Sequence, residues 1–357
     1  MKENYKILAI NPGSTSTKVA YFENLDCISS KTLCHSAEEL EKYRSIMDQY
    51  TFRKQAILEY LREQNINYKY LDAVVGRGGL LKPLKGGTYH INQNMLDDLK
   101  SAKYGQHASN LGAILAYEVA ILTNIPAFIV NPVVVDEFHP LARFSGIPDI
   151  TRKSAFHALN QKAIAMKVTR ELGKSYNEVN LIIAHIGGGI SVAAHYKGNV
   201  IDVNNGLEEG PFSPERSGNL PVLQLVDMCF SGQYTKEEIK KKLVGKGGLV
   251  AYLGTSDGKK IDERIDMGDE QAKLVLEAMA YQIAKEIASC SAVLYGKVDS
   301  IVITGGMARS PWIIKWITER VKFIAPVKVF PGEDEMAAMA EGAYRVLIGK
   351  ENPLNYE

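Results

Sequence analysis

Cysteine is scarce in this chain of 357 residues: there are four, at Cys27, Cys34, Cys229 and Cys290, with no C-x-x-C pair and no dense spacing. That excludes a zinc module and a disulfide-stapled scaffold, and it reads as the reduced thiols of a cytoplasmic protein. Excess charge is missing too. A formal net charge of +1 leaves no global electrostatic basis for binding nucleic acid or an anionic membrane surface. No apolar run is long enough for a signal core or a membrane span, and the opening MKENYK leads straight into a strand pattern. Low-complexity tracts are absent as well. What remains, 46% hydrophobic and 23% charged, is ordinary globular composition at a length that suits two domains and small-molecule partners.

The most informative feature is an internal repeat. ILAINPGSTSTKVAYF (Ile7 to Phe22) and LIIAHIGGGISVAAHY (Leu181 to Tyr196) each run from an apolar strand through a polar residue, Asn11 or His185, into a glycine-containing turn and a second strand. A third strand follows each, around CISSKTL and NVIDV. The first turn does not fit the G-x-x-x-x-G-K-[ST] phosphate loop, because it has one glycine and Lys18 precedes valine rather than Ser or Thr. Two copies half a chain apart predict two similarly built α/β domains, each opening with a β-meander, their turns facing across an inter-domain cleft. Helical periodicity covers Ser36 to Glu63, Ser109 to Thr123, Phe156 to Leu172, Asp269 to Leu294 and Glu335 to Ile348. In TGGMARS the strand SIVIT meets Gly305-Gly306, and Ser310-Pro311 fits an N-cap followed by the first helical position. GIPDITRKS, from Gly146 to Ser154, interrupts both periodicities and marks the crossover between domains.

Each segment has a plain structural reading beside a functional one. A Gly/Ser/Thr loop is a good turn and also a nest of backbone N–H groups able to bind polyphosphate, to which Lys18 would add a point charge. Arg77 lies in Gly76-Arg77-Gly78-Gly79, where glycines permit close approach of a ligand, yet it also suits a flexible surface turn. Arg216 in PERSG has the same alternative. Asp136 follows VVV at a strand end, where cleft ligands bind and where turn aspartates are common. His157 falls in a helical pattern, and Asp334 and Glu335 open another, where carboxylates favour the helix dipole without any metal. Three glycine loops in one chain, two of them on a repeated hairpin, together favour nucleotide binding.

With these segments in this order, the chain resembles the acetokinase family, within the superfamily of actin-like ATPases, Hsp70 and sugar kinases, over essentially its whole length. NPGSTSTK resembles the first phosphate loop, with Asn11, Ser14, Ser16 and Lys18 at its polar positions; HIGGGIS, with His185, Gly187, Gly188 and Gly189, resembles the second. VVGRGG is similar to the segment whose arginine, here Arg77, binds the substrate carboxylate, and PERSG carries Arg216 at the second active-site arginine. YGQHASNLG puts His107 near the substrate, VVVDEFHP puts Asp136 at the catalytic aspartate, and RKSAFHALN puts His157 at the transition-state histidine. TSDGK, with Asp257, and TGGMARS, with Gly305, Gly306 and Arg309, are similar to the adenosine-side segments. GEDEM places Asp334 or Glu335, with Asn11, near magnesium.

The resemblance implies two actin-like (ribonuclease-H-like) α/β domains, residues 1–148 with 337–357 and residues 149–336, the C-terminal helix returning to the first. It implies a cytoplasmic homo-oligomer that uses ATP/ADP and Mg2+ to interconvert a short-chain carboxylic acid and its acyl phosphate. The acetate-using branch carries an asparagine where this chain has Gly188 and a histidine soon after the substrate arginine, where this chain has GGLLK; the shorter chain and GPFSPERSG resemble the butyrate branch. Isobutyrate, acetate and propionate remain alternative acids. A sugar kinase, or an ATP-dependent regulatory module of the same fold, remains an alternative class, since fold alone separates none of these.

Overall fold

The computed structural model describes residues 2–357, and the chain divides into two compact units. One is the chain through Val135 together with Asp334–Glu357; the other is Asp136–Glu333. The divisions thus fall at 135/136 and 333/334, not at the expected 148/149 and 336/337. Asp136 consequently opens the second unit, and the Gly146 to Ser154 stretch lies inside it.

The first unit is built on β1 (Lys6–Pro12), β2 (Ser16–Glu23), β3 (Asp26–Cys34), β4 (Ala73–Gly76), β5 (Thr88–His90) and β6 (Ala127–Val130), in the order β3-β2-β1-β4-β6-β5. The meander β1-β2-β3 is antiparallel, while β4 runs parallel to β1 and β6 parallel to β4. Strand β1 is buried on both faces, Ile7, Leu8, Ala9 and Ile10 all being 0% exposed, as a central strand between helical layers must be. Leu8 and Ile10 share a core with Ile57 and Leu61 of helix Tyr50–Glu63 and with Leu111 and Leu115 of helix Asn110–Ala120. The C-terminal helix Glu335–Leu347 packs on β1, β4 and β6.

The second unit repeats the plan with β7 (Asn180–Ile186), β8 (Ile190–Tyr196), β9 (Asn199–Val203), β10 (Ser300–Gly305) and β11 (Val327–Pro331), ordered β11-β10-β7-β8-β9. Again the meander is antiparallel, and β10 pairs parallel to β7. Alternation along β7 sends Ile182, Ala184 and Ile186 into a core with helix Glu270–Val293, and Leu181 and Ile183 toward Ala165 and Val168 of helix Ala158–Glu171. Even the register irregularity is duplicated, at Tyr21/Phe22 in the first meander and Ala194/His195 in the second.

Differences from the sequence reading have local causes. The Ser36 to Glu63 pattern breaks into helix Ala37–Leu40 and helix Tyr50–Glu63, because Ser36 and Glu39 close a capping box and the Ser45 N–H and hydroxyl then engage the Asp48 carboxylate to start anew. Helices Val222–Phe230, Lys236–Leu243, Gly248–Leu253 and Gly258–Asp266, and Gln93–Lys100 in the first unit, were not anticipated. Among the described residues no helix is long and apolar enough to cross a membrane.

Two buried histidines, His35 and His195, have pKa values lowered chiefly by burial, with Arg53 adding to the effect at His35 and Lys162 at His195. Folded His35 and His195 therefore decline a proton that the unfolded chain accepts below its ordinary value of 6.5. Their stabilisation is complete above that value and is lost as pH falls below it. The thermal unfolding midpoint should drop between about pH 7 and about pH 5 at fixed ionic strength, before most carboxylates titrate. A level midpoint over that interval would mean that these histidines are not held neutral by the fold.

Candidate functional site

In the first unit the turn after β1 is closed by Gly13 N–H donating to Ser16 O at 2.8 Å. Asn11 and Lys18 are register partners on β1 and β2, and Lys18 is exposed between buried Thr17 and Val19. Ser14 is exposed and Ser16 half-buried. Beneath this loop lies Arg53 of helix Tyr50–Glu63, 0% exposed. Its guanidinium donates to the carbonyls of Gly13 and Ser16 at 2.8 Å and Ser14 at 2.9 Å, to Thr17 Oγ1 at 3.1 Å and to Gln49 Oε1 at 2.8 Å. Burial lowers the Arg53 pKa to about 10, which leaves it cationic at neutral pH. The loop carbonyls are thus turned toward a fixed positive charge, an arrangement that favours an anion on the loop.

Sequence reasoning missed Arg53, although a signal was there. It falls at helical spacing with Ile57, Tyr60 and Leu61, the buried face of its helix, where a solvated arginine would not sit.

Arg77 follows β4, and its N–H donates to Ile10 O at 2.9 Å, next to Asn11. The backbones of Gly76 and Gly112 approach so closely that a Cβ on either would collide with the other segment. Asn110 ties down the same stretch by accepting from Leu80 N–H and donating to Gly105 O, each at 2.9 Å. Side chains then converge on one carboxylate: Glu335 Oε2 accepts from Asn11 Nδ2 at 2.7 Å and Oε1 from Arg77 Nη1. Asp334 is occupied otherwise, capping helix Glu335–Leu347 by accepting from Ala337 N–H at 2.9 Å. His107 is exposed ahead of helix Asn110–Ala120, its Nδ1 2.8 Å from Ser109 Oγ. Among the described residues no three His, Cys, Asp or Glu side chains form a metal cage.

In the second unit, Asp136 is held bidentately by Arg143 at 2.8 and 2.9 Å and also accepts from Phe138 N–H at 3.1 Å. The rings of His157 and His185 stack at 3.8 Å between centroids, 13° from parallel. His157 Nδ1 is 2.9 Å from Ser191 Oγ; His185 Nδ1 is 2.8 Å from Asn160 Oδ1 and its Nε2 3.5 Å from the Glu333 carboxylate. The glycine turn after β7 closes through Gly187 N–H to Gly189 O at 3.0 Å, and Ser213 Oγ donates to Gly188 O at 2.7 Å. Arg216 packs against this turn, so any side chain at Gly189 would strike its guanidinium, and its Nη1 donates to Gly206 O at 2.7 Å. Burial lowers the Arg216 pKa, partly countered by Glu215.

Beside this turn opens a cavity of about 620 Å³, lined by Gly187, Gly188, Asp257, Gly306 and Arg309 among others. The size suits a nucleotide-class ligand. Asp257 caps helix Gly258–Asp266, and Ser310 caps helix Pro311–Val321 with Pro311 at its first position, as its sequence predicts. Both helix N-termini contribute lining residues, so their positive dipole ends face the cavity, with Asp257 taking the Lys259 and Lys260 N–H groups and Ser310 Oγ that of Ile313. Asp262 lies on the same wall, accepting from Ser310 Oγ at 2.7 Å, with its pKa raised mainly by burial. His185 and Gly189 are packed into the unit behind the turn.

Comparison with known proteins matches residues 148–329 to the acetokinase family. Acetate kinase from Porphyromonas gingivalis is similar at 20% identity and a TM-score of 0.79, over 96% of this chain and 100% of that one. A propionate kinase from Francisella tularensis subsp. tularensis SCHU S4 is similar at 20% identity and 0.72, over 95% and 98%. Acetate kinase from Entamoeba histolytica is similar at 19% identity and 0.72, over 94% and 98%. At such identities the likeness carries the fold: actin-like α/β units on a duplicated meander.

Arg53→Lys offers three donors on a flexible stem in place of a planar fork and cannot satisfy three loop carbonyls and Gln49 together. Unsatisfied buried groups cost about 1–3 kcal/mol each, so urea unfolding of Arg53→Lys should show a loss of about 2–4 kcal/mol. A loss below about 0.5 kcal/mol would mean that the loop carbonyls find other partners.

Proposed function

Because this chain belongs to the acetokinase family, we propose that it moves a phosphoryl group reversibly between ATP and the carboxylate of a short-chain fatty acid, with butyrate as its preferred acid. The observation that carries this reading is one half-buried arginine in each unit, Arg77 and Arg216, each fixed at a glycine segment. A module that only binds or hydrolyses ATP has no need of a carboxylate clamp. The sugar-kinase alternative would require Asp136 as a base, yet both its oxygens are engaged by Arg143.

A fatty-acid carboxylate is already ionised near neutral pH, so no proton has to be removed before it attacks. A carboxylate oxygen forms a bond to the γ-phosphorus while the bond from that phosphorus to the β–γ bridging oxygen breaks, leaving ADP and the acyl phosphate. Charge stabilisation and positioning then become the whole catalytic task. In this reading Arg77 holds the carboxylate, Arg216 neutralises the equatorial oxygens, His157 donates a hydrogen bond to them, and His107 lies toward the acid. The loop carrying Ser14, Ser16 and Lys18 and the turn Gly187–Gly189 take the phosphates, while the adenosine side lies along Asp257, Gly305, Gly306 and Arg309.

The residues suit Mg2+ brought in with the nucleotide, since this ion keeps several waters and needs only one or two carboxylates beside phosphate oxygens. Glu335, with the Asn11 amide next to it, is the better placed acid, because Asp334 is used as a helix cap. The bound ion would neutralise charge on the phosphate oxygens. Asp136, kept in one orientation by Arg143, would order water of its shell. Support for butyrate comes from Gly188 and from GGLLK, where the acetate-using branch places asparagine and histidine.

Purified protein with Mg2+, ATP and hydroxylamine should trap acyl hydroxamate strongly with butyrate and isobutyrate and weakly with acetate. Equal trapping across acetate, propionate and butyrate would refute the chain-length preference, and ADP release without hydroxamate would refute the acid-kinase reading. Arg216→Ala should lower kcat about 10³-fold or more without unfolding the chain, as expected for an arginine aimed at the transferring group. Near-normal turnover in that variant would exclude the role.

A further inference from the structure

We propose that Ser191, Gln161 and His195 form a buried hydrogen-bond chain that holds His157 as the Nε2–H tautomer, with its donor preset before substrates arrive. The functional importance of that donor rests on the role given to His157 above; the tautomer itself does not.

The proton positions follow from which groups can only donate or only accept. Gln161, one turn beyond His157 on helix Ala158–Glu171, lies with its side-chain nitrogen 3.0 Å from the backbone oxygen of Ser191. A backbone carbonyl only accepts, so that end of the amide is the NH2 and the other end is Oε1. Gln161 Oε1 is 3.0 Å from His195 Nε2, which therefore carries hydrogen. His195 Nδ1, 2.6 Å from the Tyr176 hydroxyl, is then an acceptor. Burial supports this assignment, lowering the pKa of fully buried His195 and raising that of half-buried Tyr176, so the imidazole stays neutral and the phenol keeps its proton.

At the other end, Gln161 Nε2 also donates to Ser191 Oγ at 2.9 Å. The same oxygen also accepts from the His157 backbone N–H at 3.5 Å, so both its lone pairs are used and its own hydrogen is left for His157 Nδ1 at 2.9 Å. Nδ1 is an acceptor, so the proton of neutral His157 resides on Nε2. Every group in the chain is nearly or fully buried except His157: Ser191, Gln161 and His195 are each 0% exposed. Face-to-face stacking on His185, itself beside Glu333, fixes the ring plane. Ser191, Gln161 and His195 are positioning residues, acting only through His157.

The test is long-range 1H–15N correlation of the histidine rings in the full-length protein at about pH 8, with His157 assigned from the spectrum of His157→Gln. The expected wild-type pattern is a protonated Nε2 and an unprotonated Nδ1. Ser191→Ala should average the two tautomers and lower kcat about 10–100-fold, with KM for ATP and acid within about twofold, while Ser191→Thr, which retains the hydroxyl, restores both readouts. Should Ser191→Ala fail to fold, Gln161→Met frees the Ser191 hydroxyl and should likewise mix the tautomers. A wild-type Nδ1–H tautomer, or one unchanged in Ser191→Ala or Gln161→Met, overturns the proposal. A Ser191-dependent tautomer in a protein that phosphorylates no acid supports the chain and refutes only the proposed reaction.

Discussion

The carboxylate of Glu335 is the interaction on which the polar cluster at the strand ends of the first unit depends. It accepts from Asn11 at the end of β1 and from Arg77 at the end of β4, two adjacent parallel strands, while standing in the first turn of the helix that covers them. Take that carboxylate away and two donors lose their common acceptor, including an arginine whose side chain is 18% exposed and flanked by close-packed glycines. A partly buried charge left unpaired is costly, so the fold has reason to keep Arg77 extended toward the strand ends rather than collapsed on the surface.

The second unit reaches a similar end by different means. Its glycine turn is backed by packing: Arg216 covers Gly189, Ser213 holds Gly188, and the stacked histidines lie below. The first loop is backed by the buried Arg53. Both solutions place a guanidinium against a backbone turn, once beneath it with the carbonyls turned inward and once alongside it. Duplication supplied the meander, even its register irregularity, whereas the polar supports diverged.

The strands, the repeat and the Ser310-Pro311 helix start were legible because each is written in neighbouring residues: alternation, turn glycines, a cap beside a proline. The turns after β1 and β7 were legible for the same reason. What escaped notice depends on partners far away in the chain. Nothing in the residues around Arg143 announces its pairing with Asp136, which only folding brings about. That Asp334 caps the helix while Glu335 meets Asn11, 324 residues away, is set by the fold and by no local pattern. The four helices between Val222 and Asp266 are short, and among them the apolar faces of the first are largely exposed, so periodicity had little contrast with which to announce them. The division at Asp136 escaped because the Gly146 to Ser154 stretch has linker-like composition yet is tied in by Arg152, which bonds Asp202, Glu209 and the Val203 carbonyl.

Because Asp334–Glu357 belongs with the first unit while Asp136–Glu333 is continuous, the order of synthesis is not the order in which the units can be completed. On the ribosome the second unit has all its strands before the first has its covering helix. Until that helix emerges, β1 and β4 expose one apolar face, and the nascent chain presents Arg77 without its acceptor. Premature termination before Asp334 would leave a complete second unit joined to a first unit that lacks its covering helix.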